Sequence, residues 1–273
     1  MIIRVLAIGD IVGKPGRLIV RDRLRRYCVD ERVDFVVANA ENISAGSGIM
    51  PGEAEDLLGA GVHAITCGDH VWAKRDIIPY MDKQPALLRP ANYPAEQPGR
   101  GAAVYTTGAG VKVGVMHIQG NTFMHTPAGN PFKAADACFD ELSKQTKVVL
   151  VDMHGEATSE KIAMGWHLDG RASFVFGTHT HVQTADERVL PQGTAYITDC
   201  GMTGPYESVI GRRIDRVLHK FTTGMPAPFD VATGDVRLCG ALATIDAGTG
   251  RAESIVRVVL RDERSRSASP QTP

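Results

Sequence analysis

The sequence predicts an α/β protein, and three observations carry that reading. Short apolar runs rich in β-branched residues alternate with longer helical patterns from the amino terminus to about residue 200. Two stretches, 102–118 and the region after residue 229, hold strand-like runs broken by glycine turns, which adds antiparallel pairing to an otherwise parallel pattern. The 273-residue chain is 43% hydrophobic and 22% charged, enough apolar material for a large aliphatic core and too much for a disordered chain.

In order along the chain, strands are expected at 2–9, 34–40, 63–68, 111–118, 147–153, 173–177 and 194–199. Helices fit at 17–28, 51–60, 74–82, 131–145, 157–165 and 211–221. Pro51 and Pro131 stand where a first helical turn tolerates a missing N–H. Gly108-Ala109-Gly110 marks a hairpin turn inside 102–118, and mixed sheets covered by helices follow from the combination. No repeat or low-complexity linker interrupts the chain, so one domain is expected over 1–262, with a frayed polar tail at 263–273.

Charge and cysteines narrow the function classes. Thirty Lys and Arg against 31 Asp and Glu give a net charge of −1, which excludes a polybasic protein with a broad nucleic-acid surface. Five scattered cysteines, an odd number with no C-x-x-C pair, argue against a disulfide framework or a zinc knuckle and for a reducing compartment. The start MIIRVLAIGD is interrupted by Arg4 and Asp10, too early for a signal-peptide core, and no apolar run approaches the ~20 residues that span a bilayer. A cytoplasmic protein without membrane contact is expected.

The chemistry lies after the apolar runs. The first ends in Asp10, the second in Asn39 to Asn42 with Glu41, the third in Asp69-His70, and later ones in His154 and in His179-Thr180-His181. Ligands in open α/β sheets bind beyond the carboxyl ends of the strands, so five strands deliver Asp, Glu, Asn and His to one edge. Carboxylates neutralise and bridge cations, and imidazoles select transition metals over magnesium and calcium. In an extended segment His179 and His181 point the same way; in a loop each can serve a different ion. GDIVGKPGR (9–17) lacks the glycine spacing and Ser/Thr of a Walker A loop, and no G-x-G-x-x-G follows a strand.

Five blocks, GDIVGKPGR, ANAEN, CGDHVW, MHGEATSEKIAMGWHLDGR and GTHTHVQTAD, together with DCGMTGPYESVIG, resemble the YmdB family of calcineurin-like metallophosphoesterases over nearly the whole chain to about residue 262. The resemblance implies a four-layer αββα sandwich, a dinuclear site of manganese or iron ions, and phosphodiesterase activity on cyclic nucleotides of the 2′,3′ type. It places one ion on Asp10, Asn42 and His181, the other on Asp69, His154 and His179, with Glu41 bridging. His70 matches the catalytic histidine, and a homo-oligomer is a family-based expectation. One departure is local: Gly68-Asp69-His70 replaces the usual Gly-Asn-His. Three carboxylates and a hydroxide then balance two divalent ions, where an asparagine would leave one positive charge facing an anionic substrate.

Two ions ~3.5–4 Å apart lower the pKa of a bridging water and clamp the phosphoryl oxygens, so the expected mechanism is hydroxide attack on phosphorus with His70 assisting the leaving ribose oxygen. His117, Thr203 and Tyr206 are the candidate substrate contacts. His117 either lines the cleft or serves its loop, and Tyr206 either stacks on a base or packs as a wall of the site. The competing readings are a metal-dependent binder of nucleotides or RNA ends and a phosphomonoesterase or protein phosphatase, which share the same donor set.

Overall fold

The structure is a computed structural model and describes residues 1–262; the tail expected at 263–273 lies outside the described residues. The chain runs through β1 (Ile2–Ile8), β2 (Asp10–Ile11), α1 (Gly13–Asp30), β3 (Phe35–Asn39), α2 (Pro51–Ala60), β4 (Ala64–Thr66), a 3-10 turn (Arg75–Ile77), α3 (Ile78–Met81) and β5 (Leu87–Leu88). It continues through β6 (Ala102–Thr106), β7 (Lys112–Gln119), α4 (Pro131–Ser143), β8 (Val148–His154), α5 (Thr158–His167) and β9 (Phe174–Thr178). Last come β10 (Arg188–Val189), β11 (Ala195–Ile197), β12 (Met202–Pro205), α6 (Ile214–Thr223), β13 (Val236–Asp246) and β14 (Ala252–Arg261).

Two mixed sheets result. In the first, β1, β3, β4 and β5 run parallel, while β13 pairs antiparallel with β1 on one edge and with β14 on the other; β12 and β2 extend the sheet past the end of β1. In the second, β7, β8, β9 and β11 are parallel, with antiparallel edges at β6 and β10. The two-residue period of each strand sorts its side chains between layers. Ile3, Val5 and Ala7 of β1 and Phe35 and Val37 of β3 meet Val113, Leu150 and Phe174 between the sheets. Leu6, Ile8, Val36 and Ala38 face the other way, onto Ile19, Leu24 and Leu57 of α1 and α2. Val149, Val151 and Met153 of β8 turn outward onto Ala135, Leu142 and Met164 of α4 and α5. The layers are therefore helix, sheet, sheet, helix, the αββα sandwich. Each fully buried aliphatic side chain in it contributes about 1.5–3 kcal/mol.

Boundaries differ where backbone chemistry overrides pattern. Helix α2 spans 51–60 as expected, with Pro51 in the first turn and Glu53 accepting from the Met50 N–H. Helix α1 starts at Gly13 and not at 17, because Pro15 falls within the first turn, where no N–H is used. The helix expected at 74–82 breaks into a 3-10 turn and the single turn α3, which contains Pro79. Helix α6 begins at Ile214 because Gly211 sits at a φ of 96°, outside helical space. The two-residue strands β2, β5 and β10 and the short β12 give no periodic signal in sequence.

Candidate metal centre

The parallel strands of both sheets end on polar residues that face one another. Asn39, Thr66, His154 and Thr178 are the last residues of β3, β4, β8 and β9. Between them lies Asp152, a fully buried carboxylate two residues before His154. Its Oδ2 accepts from Asn39 Nδ2 at 3.3 Å and from the Thr66 hydroxyl, and its Oδ1 accepts from Thr178 Oγ1 at 2.7 Å. Since the Thr178 hydroxyl hydrogen goes to Asp152, its oxygen accepts from His154 Nδ1–H at 2.8 Å. That bond fixes the ring orientation and turns His154 Nε2 toward the recess, where its lone pair becomes available to a cation that displaces the proton shared with Glu41 and Asp69.

Four ligand atoms gather around that nitrogen: Glu41, Asp69, His154 and His179 each bring one within 4.8 Å of the others. His154 Nε2 stands 3.1 Å from Asp69 Oδ1, 3.3 Å from Glu41 Oε2 and 3.1 Å from His179 Nδ1. Gly68 keeps the space open, since a Cβ there would lie 2.2 Å from His154 Nε2 and 2.5 Å from Glu41 Oε2. On the far side of Glu41, Asp10 is fully buried, its Oδ2 accepting from the His179 N–H at 3.0 Å and its Oδ1 left without a hydrogen-bond partner. His181 Nε2 lies 3.8 Å from that orphaned oxygen, while its Nδ1–H donates to the Ile210 carbonyl at 3.0 Å.

The electrostatics are those of a crowded anionic cluster. Burial pushes the Asp10 carboxyl up to about 7, helped by Asp199 and Glu41. Burial works the same way on Glu41 and Asp69, but contacts with His154, and with His70 or His179, outweigh it and hold both well below the usual range. Burial opposes charge on His154 too, yet Glu41 and Asp69 hold its pKa well above an ordinary imidazole. Burial lowers that of His181, keeping its Nε2 a lone pair. An unpartnered buried carboxylate oxygen, two imidazoles with outward lone pairs and further carboxylates fit borderline divalent cations.

His179 and His181 lie in a loop, not an extended segment. Both have left-handed backbone, φ 93° and 65°, and they diverge, His179 toward Asp69 and His181 toward Asp10. Non-glycine residues at such angles cost about 1–3 kcal/mol each unless the surroundings impose them. Here Thr180 between them is clamped: its N–H and hydroxyl donate to Asp199 Oδ2 at 3.2 and 2.6 Å, and Asp199 is itself bound by the buried Lys161 at 2.7 Å.

Asn42 joins the recess with its amide turned: Nδ2 donates to Glu41 Oε1 at 3.0 Å and to His181 Nε2 at 3.2 Å, and Oδ1 accepts from His70 Nδ1 at 2.9 Å. Ligation through Oδ1 requires a half-turn of that amide. His70 stands at the rim, its side chain 41% exposed, with its backbone N–H on Glu41 Oε2.

Of the three expected substrate contacts, His117 and Thr203 are buried away from the recess, and Tyr206 lines a neighbouring cavity shared with His181. His117 has no exposed surface; it points into the sheet interface with Nδ1 3.2 Å from Asp152 Oδ2, because β7 carries it one strand away from the loop. Thr203 is fully buried and its hydroxyl donates to the Cys239 carbonyl. Tyr206 donates to the Met202 carbonyl at 3.0 Å, with the Arg237 guanidinium 4.4 Å over its ring. Asp152, Lys161, Asp199, Glu156 and Arg212 are site residues the sequence reading missed. Two of them left a signal, Asp152 as a carboxylate inside the apolar run VVLVDM and Asp199 as the polar end of the strand expected at 194–199.

Known proteins resemble this chain over nearly its whole length. Residues 6–258 match the family model described as YmdB-like protein. A 2′,3′-cyclic-nucleotide 2′-phosphodiesterase of Bacillus subtilis is 44% identical over 260 residues, covering 95% of this chain and 98% of that relative. Among solved structures, a hypothetical protein from Thermus thermophilus superposes with a TM-score of 0.88 at 38% identity, covering 95% of this chain and 100% of its own. A protein titled a novel phosphatase, from Mycoplasma pneumoniae, gives 0.89 at 31% identity over 98% of both chains.

Proposed function

This chain belongs to the YmdB-like family of phosphodiesterases, and on that premise we propose that it hydrolyses 2′,3′-cyclic nucleotides at a pair of divalent transition-metal ions. The observation that carries the proposal is the convergence of Asp10, Glu41, Asp69, His154, His179 and His181 on one recess, where a buried carboxylate oxygen has no other partner. The substrate class is that of the Bacillus subtilis relative, a 2′,3′-cyclic-nucleotide 2′-phosphodiesterase.

Asp10, Asn42 and His181 hold one ion, Asp69, His154 and His179 the other, and Glu41 lies between. Manganese or iron suits this mixture of imidazole and carboxylate. When bound, the pair supplies Lewis acidity at the phosphoryl oxygens and an activated water. The protein itself then has to orient the phosphodiester, keep the ligand lone pairs aimed inward and deliver a proton to the leaving oxygen.

His70 is placed for that last task. It neighbours Asp69 in sequence, and its Nδ1 donates to Asn42, which leaves Nε2 without a hydrogen bond, 4.0 Å from Asp69 Oδ2 beside the recess. Hydrogen bonding to Glu41 raises its pKa against the opposing effect of burial, which favours a proton on the ring; cations bound beside it work the other way. General-acid help of this kind is worth about 10²–10⁴-fold in rate.

The test is a substrate panel on manganese-loaded protein: bis-p-nitrophenyl phosphate, p-nitrophenyl phosphate and 2′,3′-cyclic AMP. Turnover of both diesters, abolished by chelator and restored by metal, supports the proposal. The likeness to the Mycoplasma pneumoniae phosphatase favours a phosphomonoesterase as second reading, and preference for p-nitrophenyl phosphate would select it. Absence of all turnover would select a metal-dependent binder. His70→Ala is expected to keep its metal and lose most turnover, and Glu41→Ala to lose metal as well.

No helix among the described residues is long and apolar enough to cross a membrane. The five cysteines are free thiols, which supports a reducing, cytoplasmic location.

A further inference from the structure

The recess over the proposed ion pair has a volume of about 290 Å³, and among the residues lining it Arg212 is the one permanently charged cation. Its surroundings are unusual for an arginine. Nη1 donates to the carbonyls of Ala45 at 3.2 Å and Phe229 at 2.7 Å, and Nη2 donates to the carbonyl of Gly46. These partners are neutral, and among the described residues no carboxylate stands at ion-pair distance from the guanidinium. Asp230 acts on it only from farther off and is paired instead with Arg216. A guanidinium has five N–H groups, so Nε and one hydrogen of Nη2 remain after the three carbonyl bonds.

The opposing loop is shaped to receive this side chain. Gly46 has a φ of 88°, and a Cβ on it would lie 2.2 Å from Arg212 Nη1 and 2.4 Å from Cζ. The guanidinium therefore lies flat against bare backbone, fixed in position without its charge being neutralised.

That charge matters because the rest of the site has none to spare. Asp10, Glu41, Asp69 and Glu156 surround the recess, Glu156 through a 3.3 Å contact with His179 Nε2. Their four negative charges cancel two divalent ions, so the loaded donor set offers an anion no net attraction. We propose that Arg212 is a substrate-binding residue, which supplies the uncompensated positive charge and the free N–H donors that hold a non-bridging oxygen of the phosphodiester. The inference rests on the phosphodiesterase reading for the identity of the anion, and its oxyanion chemistry is shared by inorganic phosphate.

The experiment compares Arg212→Gln and Arg212→Lys with the parent, all manganese-loaded, with four readouts: metal content, thermal unfolding, affinity for inorganic phosphate by titration calorimetry, and KM and kcat on bis-p-nitrophenyl phosphate. Loss of a charge-assisted contact is expected to weaken phosphate and raise KM about ten- to hundredfold in Arg212→Gln, with metal content unchanged. Arg212→Lys keeps the charge but cannot make the three carbonyl bonds, so it is expected to recover most of the phosphate affinity. A folded, metal-replete Arg212→Gln with parental phosphate affinity overturns the assignment. So does an Arg212→Lys variant as weak as the glutamine, since that outcome means the carbonyl bonds and not the charge are what count. Should Arg212→Gln fail to fold, Arg212→Lys decides against the parent alone: phosphate affinity near the parental value supports the assignment, and a loss of the size expected for the glutamine variant overturns it. Failure of the parent to cleave any diester would strike the proposed reaction while leaving the phosphate-affinity comparison intact.

Discussion

Gly68→Ala inserts one methyl group between two metal donors, and the consequences follow from distances. The added carbon would stand 2.2 Å from His154 Nε2 and 2.5 Å from Glu41 Oε2, where a relaxed contact needs roughly 3.5 Å. One partner must retreat by more than about 1 Å. His154 is held from behind by Thr178, Glu41 is held by the N–H groups of His70 and Asn42, and both are fully buried. Overpacking of this sort costs about 1–3 kcal/mol, and for a chain of this size each kcal/mol lowers Tm by roughly 2–4 °C. The larger effect is expected on the metal, because a displaced Nε2 and Oε2 no longer converge on one ion. Gly59→Ala is the matched control: a Cβ there meets nothing within 4 Å, and the residue lies exposed within α2. It is expected to raise stability by about 0.4–1 kcal/mol through the unfolded state. Elemental analysis, calorimetric manganese titration and thermal unfolding measure the pair. If Gly68→Ala bound two ions per chain at parental affinity, the close approach of Gly68 to the donors would be wrong.

Three further outcomes are expected. Asp152→Asn presents an amide to the Asn39, Thr66 and Thr178 donors that now share a carboxylate; manganese affinity should fall about 10–100-fold, and an unchanged titration would refute the link through Thr178. Lys161→Met strands Asp199 in a buried position and should cost about 3–5 kcal/mol, read by denaturant unfolding; a loss below ~1 kcal/mol would mean the Thr180 and Gly201 bonds suffice. In chelator-treated protein, Asp10 is raised from 3.8 to about 7, so the fold binds a proton that the unfolded chain releases between those values, and stability falls as pH rises through that window. His154, also raised, adds its loss above its unfolded value of 6.5. Manganese competes with those protons, so its affinity should climb as pH rises from 5 to 7 by potentiometric or calorimetric titration, and a flat profile would contradict the proton linkage.

The parts of the molecule that could be read from sequence are those in which one residue carries its own signal. Continuous apolar runs in 2–9 and 34–40 announce strands buried on both faces, and the polar residue that ends each run announces the edge. Asp10, Glu41, Asp69, His154, His179 and His181 stood out for that reason. His117 broke the rule, because it also follows an apolar run, yet β7 continues through Gln119 and keeps its side chain between the sheets. What could not be read is what depends on two distant segments meeting. Lys161 looks like an ordinary helical lysine, and nothing near it forecasts Asp199, 38 residues on.

These distant pairs explain how the legible residues work. Left-handed backbone at His179 and His181 is costly for residues with a Cβ, and an unclamped loop would be free to leave it. Asp199 prevents this by taking both donors of Thr180, and Lys161, 2.7 Å away, gives the buried carboxylate its counter-charge. Divergent imidazoles are what two ions require and a single ion does not. The stability lost to strain in the loop is thus recovered only where the buried lysine, the aspartate and the threonine between the histidines are present together.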